Sequence, residues 1–228
     1  MTRKRPTRKT AEPAGTRVLL VDDHPFLRMG LAEALAGEPG LQICGAVATA
    51  AEALAAVEQL HPDVVVTDLN LPGRSGLELI KDLANLRPGL PVIVLSMHDE
   101  EIYAERCLRA GARGYVMKSE DPGNVATAIR KVLTGGLHVG AKASALILQS
   151  FAGIRRGRDA TPLGQLTARE FELFQCFGRG ASTKEIAAEL QISAKTIETH
   201  RMHIKAKLGL ATAAELTAYA ARWVAAAG

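Results

Sequence analysis

The sequence predicts an α/β fold, a doubly wound five-stranded parallel sheet, followed by a small all-α domain. Three observations predict it. Five short apolar runs (around Val18–Val21, Leu41–Val47, Val64–Val66, Val92–Leu95 and Gly114–Met117) are each followed by a stretch of helical period, the alternation that makes a parallel sheet with helical crossovers. Four of the runs end in a polar residue, at Asp22-Asp23, Asp68, Ser96 and Lys118. From Thr167 onward the pattern is helical only.

The elements follow in order. Met1–Thr16 is basic, contains proline and has almost no large apolar residue, so it reads as a disordered tail. Pro25 opens a helix whose stripe would be Phe26, Leu27, Leu31 and Leu35. Thr49-Ala50-Ala51-Glu52 and Ser75-Gly76-Leu77-Glu78 match capping boxes for the second and third helices. The fourth helix should span Asp99–Ala110 and the fifth should start at Asp121-Pro122. Ala141–Phe151 suits one short helix, and the Gly- and Pro-containing Ile154–Gln165 suits a linker. Thr167-x-x-Glu170 and Ser182-x-x-Glu185 are further capping boxes, Ser193 caps a third helix that Gly209 stops, and an alanine-rich helix closes the chain. The expected layout is a tail at 1–16, a sheet domain at 17–134, a linker with a short helix at 135–165, and a helical domain at 166–228.

The 228 residues carry a net charge of +4, unevenly spread. Residues 17–140 hold 11 basic and 16 acidic side chains, whereas 166–228 hold eight basic and six acidic ones. An acidic front suits a cation, and a basic remainder suits an anionic polymer. The split also suggests that the acidic domain holds the basic one in check. No apolar run reaches the roughly 18 residues of a membrane helix, and the start lacks a signal-peptide core. Cys44, Cys107 and Cys176 have neither metal nor redox spacing and read as buried apolar residues in a reducing cytoplasm.

An aspartate at the carboxyl end of a central parallel strand faces the crevice where such sheets bind ligands. Asp22, Asp23 and Asp68 would converge if the first and third strands are neighbours. Like charges so close must bind a cation or protonate, and hard oxygen ligands suit Mg²⁺. Ser96 can donate to a phosphoryl oxygen and Lys118 can pair with another, so Asp68 is the expected phosphoryl acceptor. Asp22-Asp23, Asp68, Ser96 and Lys118 at four strand ends, with Asp68 followed by Leu-Asn-Leu-Pro-Gly and with Tyr115 in the fifth strand, resemble the receiver domain of two-component response regulators over about 17–133. The resemblance implies phosphotransfer to Asp68 from a sensor histidine kinase. It also implies Mg²⁺ at Asp23, Asp68 and the Asn70 carbonyl with help from Asp22, and a Ser96–Tyr115 switch in which the ring turns inward. Two departures stand out. Ser119 follows the lysine where many receivers have proline after a cis peptide, and Met97 is large where many have a small residue, which would shield the phosphoryl group from water.

Thr183–Leu210 reads as helix, tight turn, helix. Ile186, Ala187 and Leu190 line the first helix; Ile197, Ile204 and Leu208 line the second. His200 lies on that apolar face and reads as a packed, hydrogen-bonded histidine rather than a metal ligand. The opposite side carries Lys195, Glu198, Thr199 and Met202, surrounded by Lys184, Arg201, Lys205 and Lys207, a pattern that fits the DNA major groove. The module resembles the LuxR-type helix-turn-helix of the NarL/FixJ class. Leu166-Thr167-x-Arg169-Glu170, Lys184-Glu185-Ile186-Ala187, Lys195-Thr196-Ile197-Glu198, His200 and Lys207-Leu208-Gly209 carry the match. It implies a double-stranded DNA partner touched by Lys184, Lys195, Thr196, Glu198, Thr199, Met202 and Lys205. It also implies a homodimer when phosphorylated, with the last helix around Leu216 and Tyr219 helping.

Together these readings expect a cytoplasmic, phosphorylation-dependent transcriptional regulator that is not a metabolic enzyme and does not contact a membrane. One alternative is a regulator or adaptor with a degenerate, phosphorylation-independent receiver. The other is an aspartyl-nucleophile phosphatase, which Asn70 disfavours because those enzymes usually carry a second acid at that position.

Overall fold

The computed structural model describes residues 15–72, 74–98, 100–151, 162–190 and 192–227. Most of the expected tail, residues 152–161 of the expected linker, Gly73 and Asp99 lie outside the described residues. The sheet domain runs β1 (Thr16–Val21), α1 (Pro25–Ala36), β2 (Leu41–Val47), α2 (Ala50–Leu60), β3 (Val64–Thr67), α3 (Gly76–Leu86), β4 (Val92–Ser96), α4 (Glu100–Ala110), β5 (Gly114–Met117) and α5 (Pro122–Leu133). Then come α6 (Ala141–Phe151), a 3-10 turn at Pro162–Gln165, and the helices α7 (Ala168–Gly178), α8 (Thr183–Glu189), α9 (Ala194–Leu208) and α10 (Ala213–Ala227).

All five strands are parallel, in the order β2-β1-β3-β4-β5. The chain reverses its winding between β1 and β3, the place where such sheets form a crevice. Alternate strand residues face opposite layers. Val18, Leu20, Val64, Val66, Ile93, Leu95 and Val116 pack on α1 and α5, while Leu19, Val21, Val65, Val92, Val94 and Tyr115 pack on α2 to α4. Both faces are covered, so the central strands are continuous apolar runs rather than alternating ones.

Local chemistry sets the helix ends. Thr49 and Thr167 make complete capping boxes with Glu52 and Glu170, as Ser182 does with Glu185. Ser75 caps the Glu78 amide without the reciprocal bond. Gly209 ends α9 at φ +67°, a left-handed conformation that a side chain disfavours. The α1 stripe is narrower than the sequence suggests: Leu31 and Leu35 are buried, but Phe26 is 85% exposed. Phe26 and the also exposed Leu27 sit in the first turn of α1.

The helical domain packs α7 against α10, where Phe171 and Phe174 meet Trp223 edge-on at 5.2 and 5.9 Å. Leu216 is buried there, and Tyr219 lies edge-on to Phe174 at 5.7 Å. Of these two residues, expected to help a dimer contact, Leu216 is in its own domain's core and Tyr219 is half-buried against it.

Candidate functional site

Register places the acidic residues. Val21 pairs with Thr67, so the next residues, Asp22 and Asp68, leave neighbouring strands side by side. The Asp68 amide donates to the Val21 carbonyl at 2.8 Å. Behind Asp68, Gly76 opens α3: its amide donates to the Leu69 carbonyl at 2.7 Å, and a Cβ there would lie 2.2 Å from the Asp68 carbonyl oxygen. Only glycine allows α3 to start this close to the strand end.

Asp68 is 3% exposed. Lys118 Nζ lies 2.6 Å from Asp68 Oδ2 and 2.8 Å from Asp22 Oδ2. Burial raises the Asp68 carboxyl above its usual range, and the Lys118 ammonium opposes that rise. Burial alone would lower the lysine, but Asp68 and Asp22 outweigh it, so its pKa is raised and it stays charged. Asp22, Asp23, His24 and Asp68 each offer an oxygen or nitrogen ligand within 4.8 Å of the others. Asp23 Oδ1 is buried, and its one polar neighbour is His24 Nδ1 at 2.8 Å, without hydrogen-bond geometry. A small hard cation would neutralise these three crowded carboxylates and give Asp23 Oδ1 a better partner than the misaligned imidazole, so the residues fit Mg²⁺.

The remaining expected residues surround this cluster. Ser96 is fully buried at the end of β4, and its Oγ accepts from the His98 amide at 3.1 Å. The Tyr115 ring is inside the domain, with its hydroxyl donating to the His98 carbonyl at 2.8 Å. Asn70 lies beside His98, with Oδ1 and Nε2 3.2 Å apart. No peptide bond among the described residues is cis, so Lys118–Ser119 is trans. Met97 is 69% exposed.

His98 is a residue the sequence reading missed. It touches Ser96, Asn70 and Tyr115 and stacks on Tyr103 at 4.6 Å. Burial lowers its pKa to about 4, so the ring is neutral. A lone histidine two residues past a strand end gives no periodic signal; only the fold gathers its partners.

In the helical domain, Ile197 and Ile204 are fully buried under α9. Lys195, Glu198, Thr199 and Met202 line the outer face and are exposed, as is Lys184 on α8. Glu198 is held by Arg201, whose guanidinium lies 4.7 Å over the Phe177 ring. Thr196 helps cap α9 through Ser193 at 2.8 Å. Lys205 donates to the Ala211 carbonyl at 3.2 Å, and Lys207 is tied to Glu170 at 2.5 Å. His200 is packed as expected, but its Nδ1 is buried with no hydrogen-bond partner. The structure thus groups Asp22, Asp23, Asp68, Asn70, Ser96, Tyr115 and Lys118 in one crevice and the residues expected to meet DNA around one helix.

Comparison with known proteins matches residues 18–130 to the response regulator receiver domain and residues 164–220 to the bacterial regulatory proteins of the luxR family. The oxygen regulatory protein NreC of Staphylococcus carnosus is 32% identical over 209 residues, covering 90% of this chain and 96% of NreC. The chain belongs to the LuxR-family two-component response regulators. It is a two-component DNA-binding transcriptional regulator. Among solved structures, RcsB from Salmonella enterica serovar Typhimurium, bound to promoter rprA in the presence of the phosphomimetic BeF3-, is 26% identical with a TM-score of 0.59, covering 91% of this chain and 98% of that one. A LuxR-family response regulator from Aurantimonas sp. SI85-9A1 is 32% identical with a TM-score of 0.56, covering 60% of this chain and 99% of that one.

In this response regulator the two domains share a junction that composition did not reveal. Tyr103 of α4 meets Phe171 of α7 edge-on at 5.5 Å. Arg106 lies over the same ring at 4.3 Å and donates to the Leu163 and Leu166 carbonyls. Arg169, Glu189 and Leu190 line a small pocket with Asp23, Asn70, Leu71 and Pro72, so the helical domain borders the acidic crevice. The contact is aromatic and hydrogen-bonded, and it leaves Lys195, Glu198, Thr199 and Met202 exposed.

Proposed function

We propose that this regulator accepts a phosphoryl group on Asp68 from a sensor histidine kinase and converts it into dimeric binding to promoter DNA. The observation that carries the reading is the Asp22–Lys118–Asp68 arrangement beside the Asp23 carboxylate. An Asp68 oxygen attacks phosphorus, the phosphorus–nitrogen bond of the donor phosphohistidine breaks, and its electron pair returns to the imidazole. The product is an acyl phosphate on Asp68. Asp22, Asp23, Asp68 and the Asn70 carbonyl would hold Mg²⁺, which supplies charge neutralisation for the transferring group. Lys118 is close enough to exchange its carboxylate partner for a phosphoryl oxygen. The Ser96 hydroxyl can donate to another once it leaves the His98 amide. Tyr115 and His98 would follow that hydroxyl, and His98 stacks on Tyr103, which reaches the helical domain.

DNA contact follows from the exposed row on α9. Glu198, Thr199 and Met202 would face base edges, while Lys184, Lys195, Thr196 and Lys205 would meet phosphates. Lys205 must first leave the Ala211 carbonyl. RcsB bound to a promoter in the presence of a phosphomimetic supports this assignment by likeness. A DNA partner makes the cytoplasm the working compartment, and no described helix is long and apolar enough to cross a membrane. The proposed output is transcription control, with catalysis limited to the protein's own phosphotransfer. The test is labelling by a small phosphodonor with Mg²⁺. Wild type should label at one acid-stable, base-labile site and gain DNA affinity, and Asp68→Asn should do neither; stable labelling of Asp68→Asn at the same level refutes the reading.

A further inference from the structure

A second cluster of ligating groups lies in the helical domain, away from the acidic crevice. Glu170 stands on the first turn of α7, and His200 and His203 stand one turn apart on α9. Each of the three offers a ligand atom within 4.8 Å of the other two. We propose that Glu170, His200 and His203 form a binding site for a divalent transition ion of the zinc type, with a remaining position open to water.

Three features support it. His200 Nδ1 is buried and has no hydrogen-bond partner, although a buried ring nitrogen without a partner is costly. An ion would satisfy it. Glu170 accepts from the Thr167 amide at 2.7 Å and from Lys207 Nζ at 2.5 Å, both on Oε2. Those bonds orient the carboxylate as the outer partners of a metal ligand do, and no hydrogen bond among the described residues falls on Oε1. Finally, His203 is exposed, so its ring can rotate towards the other two. Ligand atoms around a tetrahedral ion with bonds of about 2.0–2.1 Å stand roughly 3.4 Å apart, so the cluster needs only a modest side-chain closure.

The donor set decides the kind of ion. Two imidazoles and one carboxylate suit zinc and its neighbours in the first transition row, whereas Mg²⁺ prefers oxygen ligands throughout. Lys207 and Arg169 add nearby positive charge, which selects for an ion bound by covalent-like nitrogen coordination over one held by charge alone.

Position suggests the consequence. His203 lies on the flank of α9, between the buried Ile197 and Ile204 and the outward Lys195, Thr199 and Met202. A bound ion would fasten the DNA-facing helix to the start of α7 without covering the outward row. The same end of α7 follows Leu166, whose carbonyl Arg106 of the sheet domain holds. The site therefore couples metal supply to the rigidity of the DNA-reading helix, and it does not depend on the phosphoacceptor assignment.

The experiment uses untagged, metal-stripped full-length protein in saturating Mg²⁺, which occupies the acidic crevice. Co²⁺ titration should give one equivalent of binding with the visible absorption of a nitrogen-ligated ion, and Zn²⁺ should displace it. His203→Asn, at an exposed position, should weaken binding by roughly tenfold or more; His61→Asn, at the end of α2, should leave it unchanged. In wild-type protein, Zn²⁺ should shift the imidazole NMR signals of His200 and His203. Absence of the absorption, an undiminished band in folded His203→Asn, or shifts confined to His24 would each overturn the proposal.

Discussion

Tyr103 donates a hydrogen bond to Gln175 at 2.9 Å, joining the fourth helix of the receiver to the first helix of the DNA-binding domain. The same ring stacks on His98, which bonds to Tyr115 and Ser96. One aromatic side chain therefore touches both His98, the neighbour of Ser96 and Tyr115, and the helical domain. Burial raises the Tyr103 hydroxyl's pKa well above its usual value, so it remains a neutral donor across physiological pH.

This junction borders the acidic crevice, so loosening it should speed access by a phosphodonor. Tyr103→Phe removes one hydrogen bond worth about 0.5–1.5 kcal/mol. Arg106→Ala also removes the cation–π contact and two carbonyl bonds. Initial rates of labelling by a small phosphodonor should rise a few-fold in Tyr103→Phe and more in Arg106→Ala. Rates equal to or below wild type would mean that the docked arrangement does not limit access.

Cation supply should matter even without phosphorylation. Three carboxylates share the crevice with one lysine, and the nearest polar group to Asp23 Oδ1 is the exposed His24 imidazole. Mg²⁺ should raise the thermal midpoint of wild type, because a ligand that binds only the folded state stabilises it. Chelation should reverse the rise, and Asp23→Asn should blunt it. A Mg²⁺ response that Asp23→Asn leaves intact would remove Asp23 from the ligand set.

Gly76 gives a steric test of the crevice. A Cβ would meet the Asp68 carbonyl oxygen at 2.2 Å and Leu69 Cα at 2.7 Å, both backbone atoms with little room to move. Gly76→Ala should cost about 1–3 kcal/mol and slow labelling of Asp68, read by thermal unfolding and phosphodonor kinetics. Wild-type stability in that variant would show that α3 can retreat freely.

Much of this was legible in the sequence, for identifiable reasons. Val64-Val65-Val66 before Asp68, and the capping boxes at Thr49, Thr167 and Ser182, are local signals, and β2 and α6 fall within the expected bounds. The convergence of Asp22, Asp68 and Lys118 was readable because parallel strand ends share one edge. The junction was not. Tyr103, Arg106, Phe171 and Gln175 meet across more than 60 residues, and nothing in their local pattern marks them. The charge split named no contact surface, and the aromatic junction is made by side chains that carry no net charge. His200 shows the same limit: periodicity located its face but could not reveal an unpartnered Nδ1.

Glu172 should give stability a pH dependence. Burial raises its pKa to about 7, against the opposing Arg169 guanidinium 2.8 Å away, and the Asp68 and Glu189 carboxylates add to the rise. A carboxyl whose folded pKa is raised contributes stability that is fully present below its unfolded value of 4.5 and lost as pH rises through about 7. The loss is on the order of 3 kcal/mol. The thermal midpoint should therefore fall between pH 5 and 8, and Glu172→Gln should flatten that slope. A slope unchanged in Glu172→Gln would place the titration elsewhere.

The last prediction concerns how α9 reads DNA. Its inner face is closed by Ile197 and Ile204, so only the row of Lys195, Glu198, Thr199 and Met202 can enter a groove. Arg201, lying over Phe177, holds the Glu198 carboxylate in place, which orients an acceptor towards a cytosine amino group. Met202 is 60% exposed and can cover a thymine methyl group. Glu198→Ala and Met202→Ala should each cost about 1–3 kcal/mol at one base pair and relax the preference there. Lys195→Ala should weaken all sites alike and reduce the salt slope by about one unit. Arg201→Lys should resemble a partial Glu198 loss, because an ammonium is a compact point charge without the planar guanidinium's stacking on Phe177. The measurement is binding to a panel of single-base variants of a selected site, with half-sites about 10 base pairs apart. If Lys195→Ala changed the preferred base while Glu198→Ala and Met202→Ala weakened every site equally, α9 would enter the groove by a different edge.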